Sequence, residues 1–166
     1  MSDRLLFIVT FGSTLGCGLA AGVFFGFSTF VMKALGRLAP AQGIAAMQSI
    51  NVAAITAPFM VALFGTAAAC VVLAVVSVID RQRPESGYLL TGALLYLVGV
   101  VVVTGVANVP RNNTLAAVDP ASADGARLWA DYLVTWTRWN HIRTATALAA
   151  AAALTIALQS ARGHVT

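Results

Sequence analysis

The residues able to do chemistry fall into three short blocks. Gln48 and Asn51 make the first, Asn108, Arg111, Asn112 and Asn113 the second, and Trp139, Asn140, His141 and Arg143 the third. Each block sits where a long apolar run begins or ends. No Asp or Glu falls inside those runs, and of the two histidines one, His164, is in the C-terminal tail. Bis-histidine haem, copper clusters and carboxylate-bridged di-iron centres need ligands that this set lacks. No glycine-rich phosphate loop follows a strand, and no serine–histidine–acid set is evident. Any catalysis here works with amides, tryptophans, one guanidinium and one imidazole, and neither a metal nor another cofactor is expected.

The elements that position these blocks follow from composition. Ten basic and six acidic residues make up 10% of the 166 residues, against roughly 25% in soluble domains. Hydrophobic residues reach 59% and the mean hydropathy is +0.85. A water-soluble domain of this length needs a charged exterior, and these residues cannot supply one. A soluble enzyme, a disordered tail and a nucleic-acid binder are therefore excluded. The chain reads as one all-α integral membrane domain over residues 1–166, multi-pass, in a bacterial-type cell membrane. Its net charge of +4 reflects few acids more than many bases.

Four spans are expected, at about 5–32, 52–79, 88–109 and 142–158, with Arg143 at the entrance to the last. Helices fit because every backbone group in lipid must find its partner inside the span. The alternating ten-residue segments of a β-barrel are absent. The first run is about twice the length of a signal-peptide core, so it is expected to be retained as a span. Arg81 to Gly87, with Pro84 and Gly87 as breakers, reads as a tight polar turn. Four spans put the connections 33–51 and 108–141 on one membrane face, so all three polar blocks meet there. Six basic residues on that face against four on the other lean weakly towards its being cytoplasmic. Polar groups at membrane depth are costly unless they pair or face a cavity, which argues against proton-coupled export by an in-span acid. Amides converging with aromatic rings read as a ligand pocket; the alternative is interfacial capping by Asn and Arg at lipid headgroups.

Within the last connection, Trp129, Tyr132, Leu133 and Trp136 share one helical face. An interfacial amphipathic helix is expected over about 122–138, as an anchor or a lid. If it runs unbroken from 129 to 143, Asn140 and Arg143 join the aromatic face and His141 falls off it; a kink near Trp139 would reverse that. Gly18, Gly22 and Gly26 recur every four residues, as do Gly12, Gly16 and Ala20, and such stripes let neighbouring helices approach closely. They also allow a homo-oligomer. Phe24, Phe25, Phe27 and Phe30 crowd the end of the first span, either facing lipid or walling a pocket. Cys17 and Cys70 read as small packing residues.

Asn108-Val-Pro110-Arg-Asn112-Asn113-Thr-Leu115, followed by Trp129, Trp136 and Trp139-Asn140-His141-Ile-Arg143-Thr144, resembles the anthrone-oxygenase-like family of small four-helix membrane proteins. Gly-Val-Phe-Phe-Gly-Phe over 22–27 and the segment Pro40 to Asn51 extend the resemblance over nearly the whole chain. It implies cofactor-independent oxidation of an anthrone to an anthraquinone by dioxygen, in aromatic polyketide pathways. An anthrone carries an acidic CH₂ between two rings, and its enolate reacts directly with O₂. On this resemblance His141 is the candidate base, with water aided by Arg143 as the alternative. Arg143, Asn112 and Asn140 are candidates for holding the enolate oxygen. Gln48, Asn51, Asn108, Asn113, Trp129, Trp136, Trp139 and Phe27 are expected to line the substrate, a hydrophobic small molecule drawn from the bilayer. A non-catalytic binder of a hydrophobic metabolite or quinone, and a structural membrane subunit, remain the alternatives.

Overall fold

The computed structural model describes residues 1–162. It contains helices α1 (Asp3–Leu35), α2 (Pro40–Ala53), α3 (Ala57–Ile79), α4 (Ser86–Ala116) and α5 (Ala123–Arg162), with no strand among the described residues. Helices α1, α3, α4 and α5 are long and apolar enough to cross a membrane. The protein is thus an all-α, multi-pass membrane four-helix bundle. Helix α2 has 14 residues, about 21 Å, too short for a ~30 Å hydrocarbon core. Local sequence sets the starts. Ser2 Oγ accepts the Leu5 N–H at 3.4 Å, and prolines sit in the first turns of α2 and α3, where a missing N–H costs nothing. Ser122 Oγ accepts the Gly125 N–H at 2.9 Å at the start of α5.

The spans differ from expectation mainly in length. The helix expected over 122–138 is present, but it continues without a break into the fourth span. Together they form the 40 residues of α5, about 60 Å, or twice the hydrocarbon thickness. The reason lies in composition: between Gly125 and Arg162 there is no glycine or proline, and good helix formers dominate. Helix α4 likewise runs past the expected end at Val109. A proline ring clashes with the carbonyl four residues back. Here a wider π turn over Thr104–Asn108 immediately precedes Pro110 and moves that carbonyl aside. Two more π turns occur, at Phe27–Val31 in α1 and Leu97–Val102 in α4.

The excess length gives two apolar clusters stacked along the bundle. The first joins α1, α3, α4 and α5 through residues such as Phe24, Leu73, Tyr96, Val100 and Leu154. Along α5 its contact stripe is Ala147, Ala150, Leu154 and Ala157. Small side chains there let α4 come close, and a Cβ added at Gly92 would lie 2.7 Å from Leu154. One added at Gly99 would overlap Thr146, and one at Gly16 would overlap Thr66. Cys17 and Cys70 are free, buried and adjacent in this cluster. The second cluster lies beyond it, where α2 covers the extended ends of α1, α4 and α5. It contains Met32, Ile44, Met47, Leu115, Trp129, Tyr132 and Trp136.

One glycine stripe does not do what its spacing suggests. Gly18 and Gly22 have open space where a Cβ would stand, as does Gly12 of the other stripe, and Gly26 meets only Phe30 of its own helix. Close approach uses the Gly16–Ala20 face instead. A direct test follows from the difference. Gly99→Leu should lower stability by about 1–3 kcal/mol through overpacking. Gly22→Leu should stay within about 0.5 kcal/mol of the parent, as expected for a change that meets no neighbour. Denaturant titration in detergent micelles would read both, and equal losses would show that Gly22 has a partner helix.

Candidate functional site

Between the two apolar clusters lies a polar layer, built by α1, α4 and α5. Its centre is Arg143, 6% exposed, beside Asn140 at 0% and Asn108 at 1%. Because α5 is unbroken, Trp136, Asn140, Arg143 and Ala147 follow one buried stripe, as residues spaced three and four apart must. Asn140 ties this stripe to α1. Its Nδ2 donates to the Phe24 carbonyl and to Ser28 Oγ, both at 2.7 Å. Ser28 Oγ lies 3.1 Å from Thr144 Oγ1, which donates to the Asn140 carbonyl at 2.9 Å. The π turn of α1 begins just past Phe24. The Phe24 carbonyl also accepts the Phe27 N–H, so it serves its own helix and the Asn140 amide together.

Arg143 is held without a counter-charge. Its Nη2 donates to Asn140 Oδ1 at 2.7 Å and its Nη1 to Thr104 Oγ1 at 3.3 Å. Thr104 is presented by the second π turn of α4. The guanidinium carbon lies 4.3 Å from the centre of the Phe24 ring and 5.2 Å from that of Trp136. The ion pairs among the described residues join Arg83 to Asp3, Asp80 and Glu85, and Arg127 to Asp124; none involves Arg143. Burying an isolated charge costs several kcal/mol even after relaxation. Two hydrogen bonds to a charged group, at about 1.5–3 kcal/mol each, and two cation–π contacts of about 0.5–2 kcal/mol offset only part of that cost. Arg143 Nε remains buried with no partner among the described residues.

The layer next to Arg143 is aromatic. Trp136 lies 5.8 Å from Phe27 and 6.0 Å from Tyr132, and Tyr132 stacks on Trp129 at 5.7 Å. Asn112 Oδ1 accepts from both the Tyr132 hydroxyl, at 2.7 Å, and Trp136 Nε1, at 2.8 Å, which locks the pair of rings. Asn108 Nδ2 donates to the Trp136 carbonyl at 3.3 Å, and its Oδ1 is buried and unpartnered. The Asn51 side chain approaches the Tyr132 hydroxyl, and its Nδ2 is unpartnered too. Five buried side-chain polar atoms lack a partner among the described residues, and three of them are on Asn51, Asn108 and Arg143. Unpaired buried polar groups are rare in folded proteins, so their concentration here makes the layer the candidate site.

Not every expected residue belongs. His141 is exposed on the opposite side of α5, so it does not reach the layer, as the unbroken helical phase requires. Asn113 is exposed and Trp139 half-buried, and neither contacts Arg143. Gln48 is structural: its Nε2 donates to the Leu115 and Val118 carbonyls at 2.8 and 3.2 Å, closing the C-terminus of α4. His164 lies outside the described residues. Phe24, one of the four phenylalanines that could wall a pocket, and Tyr132, on the expected aromatic face, join the site, as do Ser28, Thr104 and Thr144, which sequence reasoning did not select. Ser28 and Thr104 carried one signal, being polar within otherwise apolar runs.

The site is filled rather than open. A cavity of about 140 Å³, bordered by Arg111, Asp131, Tyr132 and Thr135, adjoins it. A larger one, about 300 Å³, lies at the far end of the bundle beside Arg83. Small-molecule pockets start at roughly 300 Å³, so a three-ring ligand would enter the layer only if the Tyr132–Trp136 pair moved. The larger cavity has the volume, but its guanidinium is already paired with three acids; the buried guanidinium donor without a partner is at Arg143. Among the described residues no three His, Cys, Asp or Glu side chains converge as metal ligands would.

A cation kept without its counter-ion should be a burden to stability. Arg143→Met should be as stable as the parent or more so, since apolar replacement of a poorly compensated buried charge is neutral or favourable. Asn140→Leu, which keeps the charge and removes its best acceptor, should cost about 2–3 kcal/mol. Unfolding in detergent would check both. A larger loss in Arg143→Met than in Asn140→Leu would mean that Arg143 is a structural keystone.

A protein-family model described as anthrone oxygenase matches residues 58–153, more than half of the chain. No curated protein and no solved structure matches it. The matched stretch runs through α3, α4 and most of α5, and so includes Asn108, Asn112, Trp136, Asn140 and Arg143. Phe24, Phe27 and Ser28 reach the same layer from outside that stretch. The chain belongs to the anthrone oxygenase family.

Proposed function

We propose that this protein is a cofactor-independent oxygenase of a bacterial-type cell membrane that converts a hydrophobic anthrone-like substrate to its quinone. The observation that carries the reading is Arg143: a cation held in the bundle with no acid, an unpaired Nε, and aromatic rings on its faces. Such a site favours an aromatic oxyanion over its neutral parent. Anthrones supply one. Loss of a CH₂ proton places negative charge on the carbonyl oxygen, to which the Arg143 Nε–H and spare Nη N–H groups donate. The enolate passes electrons to O₂, a C–O bond forms at the former CH₂, and loss of water leaves the second quinone carbonyl. The balance is one substrate and one O₂ to one quinone and one water.

The residues divide the work. Arg143 stabilises the oxyanion and Asn140 fixes the guanidinium through Oδ1. Asn108 Oδ1 and Asn51 Nδ2 are free to bind further polar groups of the substrate. Phe24, Phe27 and Trp136 provide ring faces. With His141 exposed on another face, the proton leaves to water, and the gain comes from the raised acidity of the bound substrate. Asn112 holds Tyr132 and Trp136 in place, and their release admits the substrate from the small cavity beside Tyr132.

Oxygen uptake by detergent-purified protein with a simple anthrone, chelator present, tests the reading. Arg143→Met should lose the excess over spontaneous oxidation, since removing one oxyanion donor typically costs ~10²–10³ in rate. His141→Ala should keep the parent rate within about twofold, as expected of a side chain outside the site. Parent activity in Arg143→Met would overturn the assignment. Retention of the anthrone with no excess uptake would make the protein a binder of hydrophobic metabolites.

A further inference from the structure

The cavity at the far end of the bundle is unrelated to the Arg143 layer and is built differently. It lies between the start of α1, the turn before α4 and the end of α5, with Leu6, Phe7, Thr10, Leu89, Leu158 and Ala161 along its walls. From Asp3 to Thr10 it reaches seven residues down α1, about 10 Å. Phe7 at its edge is 38% exposed. The rim is charged. Arg83 Nε meets Asp80 Oδ2 at 2.7 Å, and its Nη1 meets Asp3 Oδ1 at 2.8 Å and Glu85 Oε1 at 3.4 Å. Asp3 first and then Asp80 raise the Arg83 pKa above its ordinary value. Three carboxylates therefore surround one guanidinium, a formal surplus of two negative charges. Glu85 is only 5% exposed and has no cation but Arg83 within reach among the described residues.

At this rim Arg83 Nε and Nη1 are taken by carboxylates and only Nη2 is left to meet a phosphate, whereas a cation finds spare carboxylate oxygens above an apolar slot. We infer that the cavity is a lipid site, taking a phospholipid with a primary-ammonium headgroup. One acyl chain lies along Leu6, Leu89 and Leu158, and the ammonium donates to Glu85 and Asp3. A primary ammonium is selected over a quaternary one because only the former has N–H groups for these oxygens. The lipid bridges α1, α4 and α5, the same three helices that build the polar layer at the other end.

Native mass spectrometry of the full chain, exchanged into detergent with equal amounts of dioleoyl phosphatidylethanolamine, phosphatidylcholine and phosphatidylglycerol, tests this. One phosphatidylethanolamine per chain should survive activation that strips the other two, with a retention advantage of about tenfold, the scale of one charge-assisted hydrogen bond. Glu85→Gln with Asp3→Asn should erase the advantage. Ala161→Trp, which fills the half-buried mouth without touching the core, should lower retention of all three lipids. Equal retention of the three by the parent overturns the headgroup assignment. An unchanged adduct in Ala161→Trp overturns the location. Displacement of the lipid by free ethanolamine at millimolar concentration would show a headgroup site with no role for the chain, which also contradicts it. The readout is lipid retention, so its outcome is separate from that of the oxidation assay.

Discussion

A guanidinium buried between helices with no acid to meet it is the constraint on which this bundle turns. Membrane insertion of an arginine at helix centre costs ~2.5–3.5 kcal/mol on translocon scales and more in the absence of snorkelling. The chain meets that cost with Asn140 Oδ1, Thr104 Oγ1 and the Phe24 and Trp136 rings. Each of those partners is itself held. Asn140 is anchored to α1 by two hydrogen bonds, and Trp136 is fixed by Asn112. The arrangement stops short of full satisfaction, because Nε and Asn108 Oδ1 stay open. A protein selected for stability alone would replace Arg143 with an apolar residue; keeping it is the pattern of stability given up for a site.

The long helices follow from the same need. A span of ~20 residues would end near Arg143 and leave it to snorkel into the headgroups. The 40-residue α5 instead carries on, and α1 and α4 extend with it to support the second apolar cluster. That cluster seals the polar layer from the aqueous side and places Trp136 against the guanidinium. The π turns at Phe27–Val31 and Thr104–Asn108 fall at the same level. The Phe24 carbonyl just before the first and the Thr104 hydroxyl in the second both accept hydrogen bonds from α5, and π turns are common at functional sites.

Much of this was legible from residue types and spacing. Low charge and four apolar runs sufficed for the membrane bundle, because backbone satisfaction in lipid leaves few alternatives. Helical phase alone separated Asn140 and Arg143 from His141 once α5 proved continuous. What the sequence hid was pairing. Nothing local shows that Gln48 would be used on two carbonyls of α4, or that Asn112 would spend its oxygen on two rings. Gly18 and Gly22 had the spacing of a helix interface, but the side that packs is decided by the partner's small residues, here Thr66 opposite Gly16. Helix ends were the weakest reading, since Pro110 signals a stop that the preceding π turn removes.

The central claim is that Arg143 is kept uncompensated in order to hold an aromatic oxyanion. Anaerobic spectrophotometric titration of a bound anthrone addresses it most directly, because the enolate absorbs at longer wavelength than the neutral form and no turnover intervenes. In the parent protein the bound anthrone should ionise at distinctly lower pH than in detergent alone, and in Arg143→Met that displacement should vanish. Identical ionisation in parent and Arg143→Met, with binding retained in both, would contradict the account.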